Sequence, residues 1–252
     1  SRRSPARWAD MRLGDATWRE VADASRPERS VDGVKSPIVL IPVGSTEQHG
    51  PHLPLATDTL IAEELAGRAI HQTDGLMVGP TISISASGEH AGFAGTLSIG
   101  LEVMTTVVVE LIRSADWAAG VVLVNGHGGN HRAITDAVAT LTREGRHALA
   151  WSPTWPKRND GGPNDLHAGR IETSLMLAID PGLVRFELAE AGPDTTIDEL
   201  RARGVRAVSP SGVLGDPEGA SGGEGDRFIS TFVDDLVHEI EKWRPIDPTP
   251  RR

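Results

Sequence analysis

The sequence predicts an α/β fold in which a mostly parallel sheet is covered by helices on both faces. Two observations carry this expectation. Short, continuous apolar runs at residues 37–43 and 120–124 are bounded by turn residues, as strands buried on both faces require. Longer segments with apolar residues at helical spacing separate the runs, so strand and helix alternate along the chain.

The elements follow in order. Thr17-Trp18-Arg19-Glu20 is a capping box, which predicts a short helix ending before Pro27. Residues 37–43 predict the first strand. Leu60, Ile61, Leu65 and Ile70 set a helix over 57–70, and 76–78 a second, short strand. A helix is expected over 102–119, although the β-branched run within 105–109 lowers its propensity. Residues 120–124 predict the third strand, 130–144 a helix closed by Gly145, and 146–151 the fourth strand. The polar stretch 152–170, rich in Gly, Pro and Asn, reads as a loop long enough to be functional or disordered. A helix over 172–179 stops before Pro181, and the Gly-rich stretch 191–225 reads as irregular. The last helix, 228–243, is amphipathic through Phe228, Phe232, Leu236 and Ile240. No repeat or linker divides the chain, so a single domain is expected over 1–252, with 1–14 and 245–252 as flexible tails.

Composition narrows the function classes. The 252 residues carry a net charge of −10, which argues against a nucleic-acid partner. With no cysteine, disulfides and thiolate metal sites are excluded, and any metal must be held by His, Asp and Glu, which suit zinc, iron or manganese. No apolar run approaches the ~20 residues that span a bilayer. The basic start has no apolar segment behind it, so it does not read as a secretory leader, and a cytoplasmic location is expected.

Three polar clusters interrupt the fold pattern. The first follows the first strand: Ser45-Thr46-Glu47-Gln48-His49-Gly50-Pro51-His52, then Asp58. Glu47 and His49 are two apart, so in extended backbone they point to one side, and Asp58 could bridge two ions. The second, Asn125-Gly126-His127-Gly128-Gly129-Asn130, directly follows the third strand. Open α/β sheets bind ligands beyond the carboxyl ends of their strands, so both clusters fall on one sheet edge. The third cluster is Asp165 to Thr173, with His167 and Glu172. Each has an ordinary reading: a solvated turn, a backbone phosphate cradle, or an acid at a helix start. The phosphate cradle lacks the Lys and Ser/Thr of a P-loop. Their convergence favours a metal site. His52 and His90 read as structural or substrate-side rather than as ligands, and His71, His131, His147 and His238 receive no role.

These residues resemble the creatininase (creatinine amidohydrolase) family. The likeness runs through Gly44 to Pro54 with Asp58, Gly88-Glu89-His90 with Phe93-Ala94-Gly95-Thr96, Asn125 to Asn130, and His167-Ala168-Gly169 with Glu172-Thr173-Ser174; Gly212 to Pro217 extend it. The resemblance implies a three-layer α/β/α sandwich, a ring-like homo-oligomer (hexamer or octamer) and two divalent metal ions. Glu47 and His127 would hold one ion, His49 the other, and Asp58 would bridge. His167 would be the catalytic histidine, carrying a proton to the leaving nitrogen. Glu89 and His90 would help to hold the substrate. Creatininase itself has a Tyr-Glu pair where this chain has Gly128 and Gly129. The second ion therefore lacks a carboxylate unless Glu172, as ligand or acid–base group, supplies it. The two glycines would leave room for a substrate larger than creatinine. Within the family the motifs are most like those of a peptidase that releases a C-terminal Val-Tyr dipeptide from a modified precursor peptide. Two rival readings are a cyclic-amide hydrolase or formamide deformylase of the same family, and a non-catalytic metal-binding scaffold; an intact His167 speaks against the scaffold.

Overall fold

A computed structural model describes residues 12–25, 36–156 and 165–244. Its centre is a sheet of four parallel strands: β1 (Ile38–Val43), β2 (Leu76–Val78), β3 (Gly120–Asn125) and β4 (Ala148–Trp151), in the order β2-β1-β3-β4. Every residue of β1, β2 and β3 is buried, as their unbroken apolar runs predict. Alternation along β1 divides the core. Ile38 and Leu40 face a cluster shared with α2 (Thr57–Ala69), α5 (Arg170–Ile179) and α8 (Gly222–Trp243). Val39, Ile41 and Val43 face a second cluster built with α3 (Gly100–Arg113) and α4 (His131–Arg143). The result is the three-layer α/β/α sandwich that the resemblance implies.

The strand order has a consequence for function. From β1 the chain leaves through α2 on one face, and from the adjacent β3 through α4 on the other. The crevice between the carboxyl ends of β1 and β3 is therefore the topological switch point, where such sheets bind ligands.

The capping box is present: Thr17 Oγ1 accepts from the Glu20 amide and Glu20 returns a bond to the Thr17 amide, starting α1 (Trp18–Ala24). The helix ends at Ala24, with Ser25 as its C-cap, before Pro27 as expected; residues 1–11, 26–35, 157–164 of the polar loop, and the tail 245–252 lie outside the described residues. Arg12 pairs with Val78, and Leu13–Asp15 form a 3-10 turn.

Three boundaries depart from expectation. The helix predicted over 102–119 stops at Arg113. There Ser114 Oγ donates to Leu111 O, and tight turns lead the chain to Ala119, whose amide donates to Pro37 O alongside β1. The stretch 191–225, expected to be irregular, contains α6 (Ile197–Arg203), capped by Thr196 Oγ1 accepting from the Glu199 amide, and α7 (Val205–Val208). Finally, α8 starts at Gly222, six residues before Phe228, with Ser221 as its cap. Glycine is a poor helix former, so Gly222, Gly223 and Gly225 hide this start. Gly225 has a packing reason: a Cβ there would collide with Ser174 O on α5.

Candidate metal centre

The local chain geometry brings the polar clusters together. Glycines let the strand ends approach α2 closely. A Cβ at Gly44 would strike the Thr59 backbone, and one at Gly126 would strike Asp58 O. Asp58, in the first turn of α2, is thereby held between the loops that follow β1 and β3, favoured by the helix N-terminus. Ser45 Oγ donates to its Oδ2 at 2.8 Å.

Each Asp58 oxygen faces a different histidine: Oδ1 lies 3.1 Å from His49 Nε2, and Oδ2 3.1 Å from His127 Nδ1. A second carboxylate stands on each side. Glu47 Oε1 is 3.2 Å from His127 Nδ1, and Glu172 Oε2 is 4.0 Å from His49 Nε2. In space Glu47 thus adjoins His127, Glu172 approaches His49, and Asp58 lies between the two pairs. Glu47, His49, Asp58, His127 and Glu172 are all buried.

Main-chain carbonyls orient the rings. His49 Nδ1 lies 3.1 Å from Glu47 O, His127 Nε2 3.1 Å from Ala86 O, and His167 Nε2 2.7 Å from Gln48 O. In each ring one nitrogen is committed to a carbonyl and the other turns toward the carboxylates. This is the usual support of a metal-ligating imidazole. His167 itself is placed by an antiparallel bridge to Leu214, which explains why the late segment Gly212 to Pro217 belongs to the site. After it Ala168 bends into the left-handed region (φ 51°) and donates its amide to Glu172 Oε2 at 2.5 Å.

The substrate-side residues separate. Glu89 is partly exposed, with Oε1 3.5 Å from His127 Nε2, whereas His90 is buried with Nε2 3.4 Å from Glu47 Oε1. Gly128 is exposed beside open space; Gly129 is not, since a Cβ there would meet Glu89 Oε1, His127 Nε2 and Ala86 O. His52, also buried, bonds Thr173 Oγ1 at 3.0 Å.

Sequence reasoning passed over Gln48. Its Oε1 accepts from the Gly50 amide at 2.9 Å, which leaves Nε2 to donate to His90 Nδ1 at 2.8 Å and to Gly212 O at 3.1 Å. His90 consequently carries its proton on Nε2, toward Glu47. The available signal was Gln48's place between Glu47 and His49.

The electrostatics of the pocket favours positive charge among its carboxylates. Burial opposes charge on His49, yet Asp58 beside it, then Glu172 and Glu47, outweigh burial and raise its pKa to about 10. His127 is likewise raised, against burial, by Glu47 and Asp58. Burial together with nearby Asp58 pushes Glu172 up to about 8, against the pull of His49. Burial and the surrounding imidazoles lower His90 to about 4 and hold His167 well below its ordinary range. Both Glu47 oxygens are buried without an aligned hydrogen-bond donor. A buried carboxylate left this way is costly unless a cation compensates it. Among the described residues, Glu47–His49–Asp58, His49–His167–Glu172 and Glu47–His90–His167 each bring ligand atoms within 4.8 Å of one another. The donors are nitrogen and oxygen only, a set that fits zinc, iron or manganese.

An α/β sheet with carboxylates and imidazoles collected at its switch point defines a candidate metallohydrolase. The chain matches the family described as "Creatininase: Creatinine amidohydrolase" over residues 14–240. It is 48% identical to the "Mycofactocin precursor peptide peptidase" of Mycobacterium tuberculosis (strain CDC 1551 / Oshkosh), over 83% of this chain and 87% of that protein. It is 27% identical to the "Creatinine amidohydrolase" of Pseudomonas putida, over 92% and 97%. A crystal structure of creatinine amidohydrolase (creatininase) shares the fold with a TM-score of 0.73 at 24% identity, covering 93% of this chain and 98% of that one. The chain belongs to the creatininase family and is an amidohydrolase of that family. No helix among the described residues is long and apolar enough to cross a membrane.

Proposed function

We propose that this chain is a metal-dependent peptidase that cleaves a modified mycofactocin precursor peptide and releases its C-terminal Val-Tyr-derived dipeptide. The observation that carries the metal-dependent reading is the division of Asp58 between His49 and His127, with Glu172 and Glu47 completing one position each. The substrate rests on the 48% identity to a protein named for that activity. The open space beside Gly128 supports a bulky substrate.

In this reading Glu47 and His127 would hold one divalent ion and His49 and Glu172 the other, with Asp58 between the two pairs; zinc, iron or manganese would suit these donors. When bound, such a pair would supply Lewis-acid chemistry, polarising the scissile carbonyl and lowering the pKa of a water toward neutrality. The protein's own groups do the rest. His167 keeps its Nε2 proton on Gln48 O, so its Nδ1 lone pair faces the cluster, 3.9 Å from Glu47 Oε1. There it accepts the proton of the attacking water and passes it to the leaving amine. Glu89, at the partly exposed edge, contacts the bound peptide, while His90 holds Glu47 from behind.

The test is incubation of the chain, loaded in turn with zinc, iron(II) or manganese, with the modified precursor peptide, read by mass spectrometry. Dipeptide release is expected. His167→Gln is expected to retain its metal while turnover falls about 10²–10⁴-fold. Intact peptide under all three metals removes the substrate assignment, and full activity in His167→Gln removes the proton-carrier role.

A further inference from the structure

One buried side chain ties together the carboxyl ends of three strands. Asn130 Nδ2 donates to Gly44 O, just past β1, at 3.0 Å, and to Asn125 Oδ1, the last residue of β3, at 3.2 Å. Its Oδ1 accepts from the Ala86 amide, in the segment after β2, at 3.1 Å. The Ala86 donor settles which end of the amide is oxygen. Both hydrogens and the oxygen of Asn130 are therefore engaged in a fully buried setting.

Ala86 then reaches His127. Its carbonyl lies 3.1 Å from His127 Nε2. Asn125 grips the backbone of the same histidine from both sides, donating from Nδ2 to His127 O at 2.9 Å and accepting from the His127 amide at 3.3 Å. The arrangement leaves no slack: a Cβ at Gly129 would intrude on both Ala86 O and His127 Nε2.

We propose that Asn130 is a positioning residue for His127. By fixing Ala86, it holds the carbonyl that takes the Nε2 proton, which leaves Nδ1 directed at Glu47 and Asp58. The backbone amide of Asn130 donates to His127 O at 3.2 Å, but its side chain is hydrogen-bonded to no proposed ligand and acts through Ala86 and Asn125. A partner that fixes the tautomer and orientation of a ligating imidazole alters metal affinity about 10–100-fold when lost. The inference rests on the reading that Glu47 and His127 hold one cation of the pair. It adds that the network serves that position and not the other: His49 takes its carbonyl from Glu47 and Glu172 its amide from Ala168, with no bond to Asn130.

The experiment measures zinc stoichiometry and affinity by competitive chelator titration and elemental analysis, for wild type, His127→Ala and Asn130→Ala. Wild type is expected to bind two ions and His127→Ala one. Asn130→Ala is expected to bind one ion within about threefold of wild-type affinity and the other about 10–100-fold more weakly. Equal weakening of both ions, or of neither, overturns the positioning role. A wild type that binds no zinc, or a His127→Ala protein that still binds two ions, refutes the underlying metal reading instead. Should Asn130→Ala prove insoluble, Asn130→Asp replaces it. That side chain keeps the acceptor for Ala86 and loses both donors, so Gly44 O and Asn125 Oδ1 would face a second oxygen. The same affinity pattern is expected, and the same outcomes overturn it.

Discussion

Replacing Glu47 by Gln separates the demands of the fold from those of the metal. The Glu47 side chain is fully buried, and neither oxygen has an aligned donor, although His127 Nδ1, His90 Nε2 and His167 Nδ1 stand 3.2, 3.4 and 3.9 Å from Oε1. It shares the pocket with Asp58 and Glu172, with Glu89 at its edge. Leaving one buried polar group unsatisfied costs about 1–3 kcal/mol, more when it is charged. Gln has the same shape without the charge, so without metal Glu47→Gln is expected to stabilise the fold by about 1–3 kcal/mol. For a domain of this size that is a rise in Tm of about 2–12 °C. With metal the sign reverses. Zinc at about a thousand times its Kd contributes about 4 kcal/mol per site, or about 8–16 °C. The variant forfeits that gain at the Glu47–His127 position. The assay is differential scanning calorimetry on both proteins, with chelator and with saturating zinc. If Glu47→Gln melts below wild type in chelator and keeps the full zinc-induced rise, Glu47 is satisfied by the protein alone and faces no cation.

Two further perturbations test the frame around the site. Gly225→Ala would drive a methyl group into Ser174 O where α8 crosses α5, so a loss of about 1–3 kcal/mol is expected in urea unfolding despite the better helix propensity of Ala; a more stable variant would show that the helices can separate at no cost. Glu224, also at this contact, accepts from Arg170 and Ser174; burial pushes its pKa up, but those hydrogen bonds outweigh burial and hold it below the ordinary carboxylate value of 4.5. A depressed carboxylate stabilises the fold above its unfolded pKa and loses that contribution as pH falls through the lower folded value. Acid unfolding of Glu224→Gln should therefore show less stability lost below about pH 4.5 than wild type. Identical acid profiles would show that the pair contributes nothing.

Much of this protein was determined by its sequence alone, for a local reason. Strands buried on both faces must be continuously apolar, and amphipathic helices must repeat at their own period, so β1 to β4, α2, α4 and the body of α8 could be read directly. The sheet edge followed too, since motifs placed straight after β1 and β3 can only emerge at the carboxyl ends. Local signals failed where tertiary contact overrides propensity. The glycines at the start of α8 look like loop, and only the packing of Gly225 against Ser174 O shows why one of them admits nothing larger. The Thr196 cap of α6 is masked by the irregular composition around it. Only the folded chain decided which carboxylate meets which imidazole. Glu172 and His49 are 123 residues apart in sequence, yet their side chains come within 4.0 Å. Likewise, which nitrogen of each histidine points inward depends on carbonyls of Glu47, Ala86 and Gln48, and these are hydrogen-bond geometries that spacing along a chain does not encode.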